Sequence, residues 1–426
     1  MDVISTRGDD QCSVVEALQR GLASDGGLYV PRHWLLLREA DFVARDSLAE
    51  IAAVVLAPFL ADSPLASQVD AICTEALDFD TPLVPLRDGR THLLELFHGP
   101  TGAFKDVGAR VLAACLSRLR AAAAPDLTVL VATSGDTGSA VAGAFHRRTG
   151  FKVAVLFPDQ GVSPRQKHLL SCFGDNVRSF AVDGTFDDCQ AMVKAAFANT
   201  ALQAAVPLTS ANSISIGRLL PQMTYYAQAA LRHARRGGAL LNFAIPSGNL
   251  GNALAAVWAR ALGLPIGDIA IVTNANRALP DYFASGEYRP RPSIPTIANA
   301  MDVGAPSNLE RLRHGFAEAG GLHVLSVDDH AIRARVPAFL AEFDSLLCPH
   351  TACAAEFVAR RRAVGDDRDW AIVATAHPAK FESVIEPLIG SAVPVPDTLA
   401  RWLAKPARAE PMAARPEALA TALLSD

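Results

Sequence analysis

From about Leu93 onward, short apolar runs alternate with amphipathic stretches, and this alternation limits the fold more than any other feature of the chain. Phe104, Val107, Val111, Cys115 and Leu119 recur at i, i+3 or i+4 and predict a helix. Residues 128–132 read as a strand, followed by a glycine turn and a helix over 139–147. Further strands are predicted over 152–157, 177–182, 240–245, 269–273 and 370–375. Helices are predicted over 163–173, 186–199, 219–232 and 252–262. Strands that alternate with helices of this length need crossover connections, so the sheets should be parallel.

The first ~90 residues differ and read as mostly helical. Val15, Leu18 and Leu22 keep helical spacing, 28–31 is a short extended piece stopped by Pro31, and 41–60 is again helix-like. Residues 78–90, with two prolines and a glycine, read as a linker. The tail after Pro394 is rich in Pro, Ala and Arg and shows no clear element. At roughly 150 residues per domain, 426 residues suggest two or three domains.

Composition excludes several classes. Half the residues are hydrophobic, which supports a large core, and only 19% are charged. A net charge of −5 argues against a nucleic-acid or basic membrane-surface role. No apolar run is long enough for a membrane span, and the first eight residues do not read as a signal peptide. The seven cysteines form no C-x-x-C, so neither a disulfide framework nor a metal site is expected, and a reducing cytoplasm is the expected setting. Six lysines are present: Lys105, Lys152, Lys167, Lys194, Lys380 and Lys405. A covalent lysine must be one of these.

Two glycine turns stand at strand-to-helix junctions: Thr133-Ser134-Gly135-Asp136-Thr137-Gly138 and Pro246-Ser247-Gly248-Asn249-Leu250-Gly251-Asn252. Such turns expose consecutive N–H groups at the positive end of a helix and suit anions, although either could be an ordinary connection. Neither has the spacing of a dinucleotide fingerprint or a Walker A loop. Lys105 follows a Gly/Pro-rich loop into a helix start, where the dipole disfavours a cation. Beside apolar Phe104, that placement would lower its pKa, as a Schiff-base lysine requires; a solvated surface lysine is the alternative. Asn212-Ser213-Ile214-Ser215-Ile216-Gly217-Arg218 sets an amide, hydroxyls and a guanidinium ahead of an apolar helix, as either an anion site or a helix cap. His377 follows a strand end and His350 follows Pro349; each reads as a ligand or catalytic group, or as a hydrogen-bonded structural histidine.

Taken in order, these segments resemble the threonine synthase family. The resemblance is carried by Ser5-Thr6-Arg7-Gly8, Asp25-Gly26-Gly27-Leu28-Tyr29-Val30-Pro31, Glu95-Leu96-Phe97-His98-Gly99-Pro100-Thr101 and Phe104-Lys105-Asp106. Both glycine turns, Ser210-Ala211-Asn212-Ser213, Asn299-Ala300-Met301-Asp302-Val303 and Thr375-Ala376-His377-Pro378-Ala379-Lys380-Phe381 extend it. The resemblance implies two open twisted α/β lobes of the tryptophan-synthase-β-like fold, with an added N-terminal domain. Expected boundaries are 1–90 for that domain, 91–390 for the catalytic core and 391–426 for the tail.

The resemblance also implies pyridoxal 5'-phosphate as cofactor and O-phospho-L-homoserine as substrate, with L-threonine and phosphate as products. Lys105 would hold the cofactor in Schiff-base linkage. Gly248, Asn249, Leu250, Gly251 and Asn252 would cup its phosphate, Thr375 would face its ring nitrogen, and Asp136 would lie by its ring oxygen. Asn212, Ser213 and Arg218 would grip the substrate phosphate, with Ser134 and Thr137 at the substrate carboxylate. Where relatives carry Phe-Gly-Asp, this chain has Leu250-Gly251-Asn252, and loss of a carboxylate there lowers repulsion of the phosphate. A monomer is expected, with a homodimer as the alternative. The competing functions are a related lyase on O-phosphothreonine or serine, and a non-catalytic homologue that binds phosphorylated metabolites.

Overall fold

The central apolar runs are buried on both faces, and that places them inside parallel sheets covered by helices. The computed structural model describes residues 1–8, 10–121 and 123–425. One lobe is built on a five-stranded sheet in the order Glu410–Ala413, Val177–Asp183, Phe151–Pro158, Leu127–Ala132, Leu208–Ser210, all parallel. The other is built on a six-stranded sheet in the order Leu322–Ser326, Ile266–Thr273, Leu241–Pro246, Trp370–Ala374, Thr91–Glu95, Leu83–Pro85. Only its last pair is antiparallel. Helices Lys105–Leu119 and Asp136–Phe145 pack on each other and join the lobes.

Four points differ from expectation. The N-terminal region, mostly helical as expected, also carries a small sheet. A three-stranded antiparallel sheet (Gln11–Ser13, Asp2–Ser5, Tyr29–Pro31) precedes helices Leu48–Leu60 and Val69–Ala76. Its strands are too short to show an alternating pattern. The stretch read as a linker contains the edge strand Leu83–Pro85, where prolines are tolerated because an edge leaves N–H positions unused. The segment after Pro394 forms helix Asp397–Leu403, strand Glu410–Ala413 and helix Pro416–Leu424, which bury Leu399, Met412, Leu419 and Leu423. The predicted helix over 219–232 is interrupted at Pro221, where a 3-10 turn separates Ile216–Leu219 from Met223–Arg235.

Parallel sheets bring the carboxyl ends of their strands together, and ligands of such folds bind there. Ala132, Pro246 and Ala374 end their strands at this edge, so the segments that follow them meet across the two lobes.

Candidate active site

A cavity of about 940 Å³ opens at this junction, and every cofactor- and substrate-site residue expected from the sequence lines it. Lys105 is the first residue of its helix. The loop before it is stitched to the strand end opposite: the Phe104 amide donates to the Thr375 carbonyl (2.9 Å), and the His377 amide donates to the Gly102 carbonyl (3.0 Å). Backbone bonds therefore fix Lys105 and Thr375 relative to each other. Burial lowers the Lys105 amine to about 8; Asp136 opposes the shift, while Lys380 and Arg218 reinforce it. Desolvation thus outweighs the electrostatics of neighbouring charges.

The first glycine turn is organised by Thr133. Its hydroxyl accepts from the Gly135 and Gly138 amides, each at 3.0 Å. Gly135 has φ +154°, and a Cβ there would come within 2.7 Å of Gln166 Nε2. Asp136 then opens the helix and is almost fully buried. Burial pushes its carboxyl up, but Lys380 and Lys105 outweigh that and hold it at about 2. The Lys380 ammonium lies 2.7 Å from Asp136 Oδ1 and donates to the Thr101 carbonyl at 2.7 Å.

In the second turn Leu250 takes the left-handed conformation, φ +66°, at the start of helix Gly251–Ala261. That conformation is costly for a branched side chain and concentrates at functional sites. A Cβ on Gly248 would sit 2.7 Å from Met301 Cα, so the loop 299–304 roofs this turn closely. Asn252 Oδ1 accepts from the hydroxyls of Tyr225 (2.5 Å) and Tyr226 (2.8 Å), while its Nδ2 has no protein partner among the described residues.

Arg218, 2% exposed, anchors one Nη on the Ala211 carbonyl. Its Nε has no partner among the described residues, nor has Asn212 Oδ1. Burial lowers the guanidinium to about 10, against the pull of Asp106. Orphaned polar atoms of this kind are costly unless a ligand completes them. Together with an amine whose pKa is lowered and a glycine turn at a helix start, they fit a phosphorylated aldehyde cofactor and a second anion.

The two histidines separate. His377 Nδ1 accepts from the Ala379 amide at 3.1 Å and caps a 3-10 turn away from the cavity, a structural role. His350 lines the cavity, and its Nε2 accepts from the Ala300 amide at 3.1 Å. Burial lowers it to about 4, so it is neutral at pH 7.

Sequence reasoning overlooked two buried side chains. The Arg311 guanidinium donates to the carbonyls of Tyr29 (2.9 Å) and Ile214 (2.7 Å) and to Asn308 Oδ1 (2.8 Å). Asn308 Nδ2 in turn reaches the Asn249 carbonyl at 2.9 Å. These residues tie the N-terminal sheet to both anion segments. Their only sequence signal is an Asn and an Arg three apart, which any helix start can show.

Comparison with known proteins agrees with this geometry. The family profile "Pyridoxal-phosphate dependent enzyme" matches residues 75–376, "Threonine synthase N terminus" matches 2–77 and "Threonine synthase, C-terminal" matches 351–422. Threonine synthase of Serratia marcescens is 35% identical over 92% of this chain and 91% of its own. The chain belongs to the threonine synthase family. Among solved members, threonine synthase from Escherichia coli superposes with a TM-score of 0.91 at 33% identity, covering 100% of both chains. The PLP-bound threonine synthase from Brucella melitensis gives 0.90 at 32%, covering 100% of this chain and 99% of that one. The C-terminal profile also covers most of the segment after Pro394, for which the sequence alone showed no clear element.

Proposed function

We propose that this chain converts O-phospho-L-homoserine and water to L-threonine and phosphate with pyridoxal 5'-phosphate. The observation that carries this reading is the convergence of a buried amine, two glycine turns and orphaned polar groups on one cavity of a threonine synthase family member.

When bound, the cofactor supplies an electron sink for charge developing on the substrate carbons. Residues 248–252 and Lys105 would hold it, with Thr375 at the ring nitrogen and Asp136 by the ring oxygen. Ser134 and Thr137 orient the substrate carboxylate. Asn212, Ser213 and Arg218 hold the substrate phosphate and stabilise it as it leaves from Cγ. Lys105 Nζ takes protons from Cα and Cβ and returns protons to Cγ and Cα; water adds its hydroxyl at Cβ, and its remaining proton goes to the departing phosphate. An amine titrating near 8 can do both jobs around neutrality.

A related lyase on O-phosphothreonine or serine is the second reading. The buried Arg218 beside Asn212 favours a phosphorylated substrate over serine. The lowered Lys105 amine favours an enzyme over a passive binding homologue. The seven free, buried thiols suit a cytoplasmic location. Incubation with O-phosphohomoserine, scoring phosphate and threonine together, tests the reading; phosphate release without threonine overturns it.

A further inference from the structure

Lys380 and Asp136 stand on different lobes. Asp136 starts the helix after the first glycine turn, and Lys380 sits in the 3-10 turn Pro378–Phe381 beyond strand Trp370–Ala374. Their ion pair, at 2.7 Å, is almost wholly buried, at 1% and 4% residue exposure. Around it the lobes are pinned again: Ser163 Oγ donates to the Lys380 carbonyl (2.7 Å), and Arg165 Nη1 donates to the Ala379 carbonyl (2.9 Å). Asp136 faces three basic groups: Lys380, Lys105 and the His350 ring. Lys105 faces Asp136, Lys380 and Arg218. Lys105 forms no ion pair among the described residues, while Asp136, the carboxylate it faces, is paired with Lys380.

We propose that Lys380 is a positioning residue for Lys105: by holding the Asp136 carboxylate across the lobes, it leaves the Lys105 amine without a carboxylate partner. A buried carboxylate that loses its cation must find another or take a proton. Lys105 is the remaining buried ammonium facing Asp136. Without Lys380, Asp136 captures it, and an ammonium held in an ion pair is neither a nucleophile nor a proton acceptor. The inference rests on Lys105 as the covalent lysine of the proposed reaction.

The test reads the Lys105 amine itself. Full-length protein freed of cofactor with hydroxylamine is acetylated in trace amounts across a pH series, and Lys105 labelling is followed by peptide mass. Lys380→Met should move the half-labelling pH up by about one unit, which is about tenfold slower labelling below it. The double variant Lys380→Met/Asp136→Asn should bring it back to or below the wild-type value, and Lys380→Arg should keep it there. Lys380→Gln replaces the Met variant if that protein does not fold. An unmoved or lowered midpoint in the single variant overturns the proposal, as does a raised midpoint that the double variant does not reverse. Borohydride fixation of cofactor on a different lysine would refute the Lys105 assignment alone, and the labelling result would still report whether Lys380 controls that amine.

Discussion

Asn249 Nδ2 donates to Ser213 Oγ at 2.6 Å, so the turn proposed for the cofactor phosphate and the segment proposed for the substrate phosphate share one hydrogen bond. The other end of the same amide, Oδ1, accepts from the Ser307 amide at 2.5 Å. The two anion sites therefore have a common wall. Asn249→Ala should weaken both ligands at once. Loss of two such bonds is worth about 1–3 kcal/mol, roughly five- to a hundred-fold, divided between cofactor affinity and substrate KM. Cofactor titration alongside kinetics checks this, and a change confined to one ligand would show that the sites are independent.

Purified protein should be yellow, and Lys105→Ala should lose the covalent link. Borohydride reduction and peptide mapping locate the lysine; a label on Lys167 or Lys380 would overturn the assignment. The pH dependence has a definite sign. Burial lowers the Lys105 amine to about 8, and only the neutral amine attacks. Covalent uptake of cofactor by the cofactor-free protein should rise about tenfold per unit below that pH and level off above it. A rise that continues past pH 10 would mean an unperturbed lysine.

The doubly glycine-marked α/β core could be read from the chain because each feature is local: an apolar run, a turn, a helix with one apolar face. The set of residues that meets in the cavity was visible only through the resemblance to threonine synthases; parallel strands, which deliver the segments after Ala132, Pro246 and Ala374 to the same edge, are why they meet. Long-range partners were not visible. Nothing near Lys380 in sequence announces Asp136, and nothing near Arg311 announces Tyr29 or Ile214. The strand Glu410–Ala413 pairs with Val177–Asp183 more than two hundred positions away, and its four residues carry no period of their own.

Arg218→Ala should raise KM for O-phosphohomoserine and lower kcat. A charge-assisted bond is worth roughly 1.5–3 kcal/mol, about ten- to a hundred-fold. Arg218→Lys should not rescue it, because a compact ammonium lacks the planar fork that holds the Ala211 carbonyl while keeping separate donors free for a second anion. Inorganic phosphate should compete with substrate in the wild type and much less in the variant. Equal turnover of homoserine and its phosphate ester would sink the substrate assignment.

Arg311→Met should loosen the N-terminal sheet from the site. The change leaves the carbonyls of Tyr29 and Ile214 and the Asn308 amide oxygen short of a donor. Each buried group left unsatisfied costs about 1–3 kcal/mol. Tm should fall, and KM for the substrate should rise more than cofactor affinity falls, since Ile214 lies in the substrate segment. Earlier proteolysis within the first ninety residues would accompany the change; an unchanged Tm would mean that the contacts are not needed to dock the sheet.

Thr375 offers the sharpest test of how the site steers charge. Its backbone is pinned by the Phe104 amide on its carbonyl and by its own amide on Thr351 Oγ1 (3.3 Å), so side-chain changes should leave its position intact. A neutral hydroxyl can donate to a ring nitrogen without protonating it. A carboxylate there would stabilise the protonated ring and deepen the electron sink. A deeper sink keeps charge at Cα, whereas this reaction needs charge to move on to Cβ and expel phosphate from Cγ. Thr375→Asp should therefore keep the cofactor but lose threonine formation, with more abortive transamination or a coloured species that accumulates. Thr375→Ser keeps the hydroxyl and should be nearly silent. Threonine formation at the normal rate by the Asp variant would mean either that Thr375 does not face the ring nitrogen or that the depth of the sink does not limit this reaction.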